Sequence, residues 1–267
     1  MQIPASNIWE SDAAAQVSND CSPEEWTARV DLAIAYRLFD WLGLTDLIHT
    51  HISIRVPGRH DHFLQLPYGH LFGEARASNM VKCDTEGRIV SDPTGLGISA
   101  GGFFIHSVVH QARADAACVM HMHTEASIAV SAQTSGLLPL TQHAMRFYGR
   151  IGHLDYSGFF DTPEKRAAIP AALGDAQVLM LRNHGPLIVG ASLWQCFSRA
   201  YYLERACRMQ LALLTVARDA ERDLTWPAPE HCRAAAEAFD DPSQTVARRE
   251  WDALTRMLDR QGADYAG

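Results

Sequence analysis

The sequence predicts an α/β protein in which helices and strands are mixed along one chain. Apolar residues recur every three or four positions over residues 24–43, which is typical of one face of a helix. They alternate with polar residues in "HISIRV" (51–56) and "HFLQL" (62–66), as in half-buried strands. A third observation is the apolar run "QVLML" (177–181), which is typical of a buried strand.

The predicted elements follow one another in a definite order. Ser22 and Pro23 are good starting residues for the first helix, which ends near Gly43. The turn-rich "PGRHD" joins the strands at 51–56 and 62–66. The remaining predicted elements are a hairpin at 80–90, a helix at 101–114, a strand at 117–122, a helix from about 124, a loop, strands near 177–182 and 186–189, and a long helix capped by Ser192.

The predicted domain organisation has three parts. Residues 1–22 form a flexible N-terminal tail, 23–226 form the main domain and 227–267 form a polar, helical C-terminal extension. The chain of 267 residues is 47% hydrophobic, which is enough for one large domain.

Charge and cysteine content exclude several classes of protein. The net charge is −8 and there is no basic block, so nucleic acid and anionic membranes are poor partners. No apolar run approaches 18 residues, and the N-terminus is polar and acidic, unlike a signal peptide. The six cysteines are scattered without a CxxC pair, which indicates reduced thiols and a cytoplasmic protein.

Two histidines follow a short apolar run in "CVMHMHTEAS". If this run is a strand, His121 and His123 point to the same face, because side chains of a strand alternate between its faces. Two adjacent imidazoles repel when charged and need polar partners when buried, and a shared divalent cation meets both requirements. An isolated pair is as often an ordinary hydrogen-bonded pair, so more ligands are needed.

A third histidine lies in the turn of "LRNHGPLIVG". Gly185 permits a sharp turn directly after His184. Alone, His184 fits a turn residue that bonds to the backbone equally well. Together with His121 and His123 it predicts a three-histidine site with open coordination positions, which is the pattern of catalytic rather than structural metal sites.

This set of motifs resembles the class II aldolase/adducin family, and most of all its bacterial adducin-like branch. The resemblance covers about residues 27–215 and includes "HISIR", "GFFIHSVVHQARADAACVMHMHT", "LLPLTQHAM" and "LRNHGPLIVG". It implies a three-layer α/β/α sandwich around a mainly antiparallel central sheet, and a homotetramer with its metal sites at subunit interfaces. It further implies one divalent metal ion per subunit on His121, His123 and His184, with zinc expected first and manganese, cobalt or iron also compatible.

Three segments depart from the pattern of the family's sugar-phosphate aldolases. A Ser-Ser-Glu segment before the helix histidine that matches His106 reads Ala100-Gly101-Gly102 here, a Gly-Asn pair reads Thr50-His51, and the phosphate loop reads Pro67-Tyr68-Gly69. The glutamate that acts as base or fourth ligand is therefore absent, and phosphate-holding groups are lost. We expect a non-phosphorylated substrate, a gap that admits a bulkier one, and substrate contacts from Gly102 and His51.

Because of these departures, the sequence does not identify the residues that would act as acid and base. His143 lies where the aldolases place a tyrosine that reaches into the neighbouring site, and as a neutral imidazole it suits a general acid or base; an interface hydrogen bond fits it equally well. His106 shares a helix face with His110 and is either an acid–base group or a partner packed behind the metal. Tyr265 matches a tyrosine that some family members fold over the site, with a disordered end as the alternative.

Two arginines complete the predicted site. Arg146 and Arg182 are candidates to pair with a substrate carboxylate, while surface or interface ion pairs explain them as well.

The first functional hypothesis is a divalent-metal-dependent carbon–carbon lyase of the aldolase or decarboxylase type. Its substrate would be a small keto or hydroxy acid or an aromatic carboxylate, cleaved through a metal-stabilised enolate. One alternative is a non-haem Fe(II) oxygenase that uses the same three histidines, since imidazole suits iron as well as zinc. The other is a non-catalytic adducin-like scaffold, which has no need of three convergent imidazoles.

Overall fold

The structure is a computed structural model that describes residues 17, 20–160, 162–240 and 242–267. The tail predicted at 1–22 therefore lies almost entirely outside the described residues. The strands are β1 (His51–Arg55), β2 (His62–Gln65), β3 (Val81–Asp84), β4 (Ile89–Ser91), β5 (Cys118–His121), β6 (Ile151–Leu154), β7 (Val178–Leu181) and β8 (Gly185–Gly190).

Helices connect these strands and cover them. They are α1 (Pro23–Trp41), α2 (Ala100–Ala112), α3 (Glu125–Ser131), α4 (Gln142–Met145), α5 (Pro163–Leu173), α6 (Leu193–Val216), α7 (Ala220–Asp223), α8 (Pro229–Phe239) and α9 (Thr245–Arg260), with two short 3-10 helices at Phe72–Glu74 and Ala77–Asn79. In the described part of the chain, no helix combines the length and apolar character needed to cross a bilayer.

The eight strands form one sheet in the order β4-β3-β2-β1-β5-β8-β7-β6. Every neighbouring pair is antiparallel except β6 and β7, which are parallel. The mainly antiparallel sheet predicted from the resemblance is therefore confirmed.

Helices pack on both faces of the sheet, because its central strands are apolar on both faces. Met120 on β5 packs in the core under α1 and α6, whereas its neighbour Val119 faces the core under α2 and α5. Leu179 and Met180 on β7 divide between the two cores in the same way. The predicted three-layer α/β/α sandwich is confirmed.

Several predicted boundaries agree with the structure and one region differs. The hairpin expected at 80–90 is formed by β3 and β4, with Gly87 at a φ of 88° in its turn. The region expected as a loop before residue 177 contains β6 and α5 instead. β6 is a short, half-buried edge strand with a glycine inside it, so it carries little hydrophobic periodicity.

The C-terminal helices pack on the main body. Trp251 on α9 is 2% exposed and its ring lies 5.7 Å from that of Phe197 on α6. Leu258 is buried in the same core. The extension therefore contributes to the layer formed by α1 and α6.

The turn between β7 and β8 is held against the end of β5. Asn183 and Gly185 have φ angles of 58° and 146°, and a Cβ on Gly185 would lie 2.2 Å from the carbonyl oxygen of Met122. Only glycine permits this approach, which brings His184 beside the two histidines around Met122.

We expect Gly185→Ala to destabilise the protein by about 2–4 kcal/mol, because backbone strain and overpacking each contribute roughly 1–3 kcal/mol. Urea unfolding measures this change. Gly69→Ala is the matched control, since Gly69 also has a positive φ, 103°, but nothing lies within 4 Å of its Cβ position. Equal losses in the two variants would show that the contact with Met122 is unimportant.

Candidate metal centre

Three histidines meet where β5 ends beside the β7–β8 turn. The Nε2 atom of His123 lies 2.9 Å from Nε2 of His121 and 3.0 Å from Nε2 of His184. The Nε2 atoms of His121 and His184 are 3.3 Å apart. The predicted convergence of these three side chains is present, and they form a group that could hold a metal ion.

The other ring nitrogens of two of these histidines have hydrogen-bond acceptors. Nδ1 of His121 lies 3.0 Å from the carbonyl oxygen of Pro186, and Nδ1 of His123 lies 3.0 Å from a carboxylate oxygen of Asp46. A carbonyl or carboxylate only accepts, so both Nδ1 atoms donate, and in the neutral form of each ring the Nε2 atom carries a lone pair. Lone pairs that face one another at about 3 Å repel, and a cation between them removes the repulsion. The donor set therefore fits a divalent metal.

Burial keeps two of these three rings, His121 and His184, neutral. Burial and the neighbouring histidines hold the pKa of His121 well below its usual value of 6.5. Burial and then the nearby His123 lower the pKa of His184 to about 4. The two rings are therefore unprotonated at neutral pH, as metal binding requires.

A cavity of about 670 Å³ opens in front of the three histidines. Its wall includes four aromatic side chains, Phe104, Tyr156, Phe159 and Phe160. Besides the three histidines, its polar members are Asp46, His49, His51, Ser99 and Asn183. Among the residues the structure describes, no lysine or arginine lines it. This chain therefore offers an anion no positively charged side chain in the cavity.

Gly102 and His51 both line the cavity, as predicted, but the expected gap is not there. A Cβ on Gly102 would lie 2.5 Å from Cδ2 of His51. The imidazole of His51 thus fills the space next to Gly102. The prediction that this space admits a bulkier substrate was wrong, because β1 pairs with β5 and places His51 directly opposite His121.

His106 lies behind the cavity. It is fully buried, with Nε2 2.8 Å from Nδ1 of His51 and Nδ1 2.6 Å from Oγ of Ser53. Since it has no surface in the cavity, its placement does not fit direct acid–base work on a substrate. It agrees with the alternative of a partner packed behind the site.

Neither predicted arginine faces the cavity. The guanidinium of Arg182 donates to the backbone carbonyls of Gln133 and Thr134. That of Arg146 lies between the rings of Tyr202 and Phe239, 3.6 and 3.9 Å from their centroids, in a different cavity. Neither guanidinium lies beside the three histidines of its own chain, and pairing of these arginines with a substrate carboxylate stays a prediction.

The structure also places His143 and Tyr265 away from the three histidines of their own chain. His143 is half-buried on α4, with its ring 4.9 Å from that of Tyr202. Tyr265 is 8% exposed, its hydroxyl donates to Asp259 and its carbonyl accepts from the amide of Ala77. Tyr265 is thus an ordered part of the core in its own subunit, and the alternative of a disordered end is wrong.

Two polar residues, Asp46 and Ser53, and the aromatic wall of the cavity were not predicted from the sequence. Asp46 lies in an irregular segment 77 positions from its partner His123, so no spacing rule connects them. Ser53 was part of a recognised strand, and its inward face could have been read from the alternation of "HISIR". Phe159 and Phe160 lie in a region that was predicted only as a loop.

Comparisons with known proteins agree with this geometry. The model of the family described as Class II Aldolase and Adducin N-terminal domain matches residues 30–211. The crystal structure of an aldolase II superfamily protein from Pseudomonas syringae is 44% identical, with a TM-score of 0.87, over 94% of this chain and 99% of that one.

Two further relatives are an adducin and a sugar-phosphate aldolase. Alpha-adducin of Rattus norvegicus is 36% identical over 98% of this chain, which spans 36% of the length of that protein. The L-fuculose 1-phosphate aldolase of Glaciozyma antarctica PI12 is 22% identical with a TM-score of 0.77, over 100% of this chain and 97% of that one, and shares the fold. The chain therefore belongs to the class II aldolase and adducin family.

Proposed function

We propose that this protein is a divalent-metal-dependent carbon–carbon lyase, of the aldolase or decarboxylase type, for a non-phosphorylated keto or hydroxy acid or an aromatic carboxylate. The observation that carries the proposal is the convergence of the Nε2 atoms of three histidines in one wall of a cavity that aromatic side chains also line. His121, His123 and His184 would hold the metal. Zinc suits these ligands, and manganese, cobalt and iron are compatible with them.

The residues around this group would position the metal, to which a small anionic molecule would bind. A divalent cation there would supply Lewis-acid stabilisation of the charge that develops when a carbon–carbon bond beside a carbonyl breaks. Asp46 and the Pro186 carbonyl hold two of the imidazoles in place. Phe104 and Phe160 provide apolar surface for the rest of the substrate and exclude water from it.

A phosphorylated substrate is disfavoured by the same lining. Phosphate is bound most strongly by charge-assisted hydrogen bonds from arginine or lysine. The described residues bring neither type to the cavity, and Ala100, Gly101 and Gly102 have no side-chain hydroxyl to replace them. A carboxylate would instead interact with the metal, whose charge neutral histidines do not reduce.

A second candidate is a non-catalytic domain. The 36% identity to alpha-adducin over nearly the whole chain favours it. The three convergent imidazoles favour the lyase, since a scaffold does not require them. The metal content of the purified protein distinguishes the two, because a scaffold would not retain stoichiometric metal.

We also propose a homotetramer in the cytoplasm. His143 remains a proposed acid or base for the neighbouring subunit's cavity, and its segment in α4 is where the resemblance places an interface. The cytoplasmic assignment is supported by Cys83, Cys118, Cys196, Cys207 and Cys232, which are thiols outside any disulfide.

We predict that zinc binds at one site per chain and that His123→Ala abolishes stoichiometric binding, because two imidazoles remain where three are needed. Asp46→Ala should weaken zinc binding about 10–100-fold, as expected when the partner that orients a ligand is removed. Competition titration against a chromogenic chelator measures both effects.

Asp61→Ala is the matched control for Asp46→Ala. Asp61 lies 2.8 Å from Nδ1 of His62, so this variant also removes a carboxylate beside a histidine, but at a distance from the cavity. Its zinc affinity should equal that of the wild type. Undiminished zinc binding by His123→Ala would contradict the metal site.

We predict that small chelating carboxylates such as lactate and pyruvate bind the zinc-loaded protein but not the metal-stripped protein. Dihydroxyacetone phosphate should bind neither form, because no lysine or arginine is among the described residues that line the cavity. Titration calorimetry with both ligand sets decides this. Millimolar or tighter binding of the sugar phosphate, without binding of either carboxylate, would contradict the proposed substrate class.

We predict a mass of four chains in light scattering at micromolar concentration, since the resemblance implies a tetramer with sites at its interfaces. A stable monomer under these conditions would contradict the assembly. It would also leave His143 far from any cavity in which it could act.

A further inference from the structure

Behind the three-histidine group, three other histidines and a serine form a continuous chain of hydrogen bonds. Nδ1 of His51 lies 2.8 Å from Nε2 of His106, whose Nδ1 lies 2.6 Å from Oγ of Ser53. The same Oγ lies 2.8 Å from Nε2 of His110, and Nδ1 of His110 lies 3.0 Å from the carbonyl oxygen of Ala116. We call His51, His106, Ser53 and His110 the histidine relay.

The carbonyl at the end of the relay fixes the direction of every bond in it. A carbonyl only accepts, so His110 carries its proton on Nδ1 and, when neutral, accepts at Nε2 from the Ser53 hydroxyl. Ser53 has then used its one proton, so it must accept from Nδ1 of His106. Nε2 of His106 is therefore an acceptor, and Nδ1 of His51 must donate to it.

The rings of the relay are neutral. All four side chains are buried, and within the described residues no carboxylate forms a hydrogen bond with any of these three imidazoles. Burial, followed by the charge of Arg55, lowers the pKa of His110 to about 3. Burial, followed by the neighbouring His51 and His110, holds the pKa of His106 well below its usual value. An uncompensated charge on the buried ring of His51 would carry the same desolvation cost.

We propose that the relay holds His51 in the tautomer protonated on Nδ1, so that its Nε2 presents a fixed lone pair to the cavity, and that His51 thereby selects 2-hydroxy acids over 2-keto acids. The choice of ligand class rests on the proposed function. The tautomer rests only on the hydrogen bonds of the relay.

The position of His51 suits this role. It lines the cavity and lies opposite His121 in the β1–β5 pairing, with ring centroids 5.2 Å apart. Gly102 admits the ring, since a Cβ there would lie 2.8 Å from Nε2 of His51. The ring of His51 is therefore beside that of His121, and its Nε2 edge lies at the cavity wall next to Gly102.

The discrimination follows from donor and acceptor chemistry. The hydroxyl of a 2-hydroxy acid can donate to the Nε2 of His51. A 2-keto oxygen has no proton, so its lone pairs would meet that of Nε2 without a hydrogen bond. Because Nδ1 is held by His106, His51 cannot change tautomer to suit a keto group unless the relay is broken.

The tautomer is tested directly on the metal-free protein. Long-range proton–nitrogen NMR of the histidine-labelled protein assigns the protonated nitrogen of each ring. We expect Nδ1 to be protonated in His51, His106 and His110, although free neutral histidine in water favours Nε2. Ser53→Ala should give a mixture of tautomers at His51. Protonation of His51 on Nε2 in the wild type would overturn the relay.

Selectivity is tested with L-lactate and pyruvate, which differ only in the hydroxyl and keto groups, on the zinc-loaded protein. His51→Asn keeps an amide donor near the position of Nδ1 and removes the Nε2 acceptor. We expect it, and Ser53→Ala, to reduce the ratio of lactate to pyruvate affinity by a few-fold to about tenfold, the range of one neutral hydrogen bond.

Ser107→Ala is the matched control, because Ser107 is a buried serine on α2 whose hydroxyl contacts only the carbonyl of Phe104 in its own helix. Its affinity ratio should equal that of the wild type. An unchanged ratio in His51→Asn overturns the selectivity. The selectivity is also overturned if His51→Asn loses zinc binding to the same extent as His123→Ala, because His51 would then be a metal ligand. If neither acid binds the wild type, the proposed function and the selectivity both fail, while the NMR result still decides the relay.

Discussion

The close approach of three imidazole lone pairs is the constraint on which the rest of the site depends. Three ring nitrogens lie 2.9–3.3 Å apart, where unprotonated nitrogens repel one another, and in the described part of the chain no other histidine, cysteine, aspartate or glutamate contributes a ligand atom to this group. Three features that are far apart in the sequence hold the rings in this arrangement: the register of β5, the turn at Gly185 and the carboxylate of Asp46. Because these features together bring three ring nitrogens to one point, we expect a cation to bind there.

The polar interior behind this group follows from the same requirement. A histidine cluster in an apolar sandwich is tolerated only when its nitrogens have partners. His121 uses a backbone carbonyl, and His51, His106 and His110 use one another and Ser53. The backbone carbonyl of Ala116 accepts the last hydrogen bond of this series. The fold therefore determines which ring nitrogen carries the proton in each of the three histidines, including His51 at the cavity surface.

The extent to which sequence predicts this site depends on the range of each contact. The spacing of His121 and His123, and the turn at His184, are local patterns, so strand alternation and a glycine were enough to predict their convergence. The place of His51 depends on pairing between β1 and β5, some 70 residues apart, which no local pattern specifies. For this reason the space beside Gly102 was predicted to be open although an imidazole fills it.

The charged residues also show that position along the sequence does not determine which side chains reach the site. Arg182 adjoins the histidine turn in sequence, yet its guanidinium turns away to backbone carbonyls at 133 and 134. Proximity along the chain indicates which segment approaches the site but not where a long side chain points. Asp46, remote in sequence, supplies the contact that orients a histidine.

The central claim is tested most directly by anomalous diffraction from crystals of the zinc-loaded protein, recorded on both sides of the zinc absorption edge. The account predicts one strong anomalous peak per chain, at coordination distance from the Nε2 atoms of His121, His123 and His184. A fully loaded protein with its zinc elsewhere, or with no ordered zinc between these three nitrogens, would contradict it.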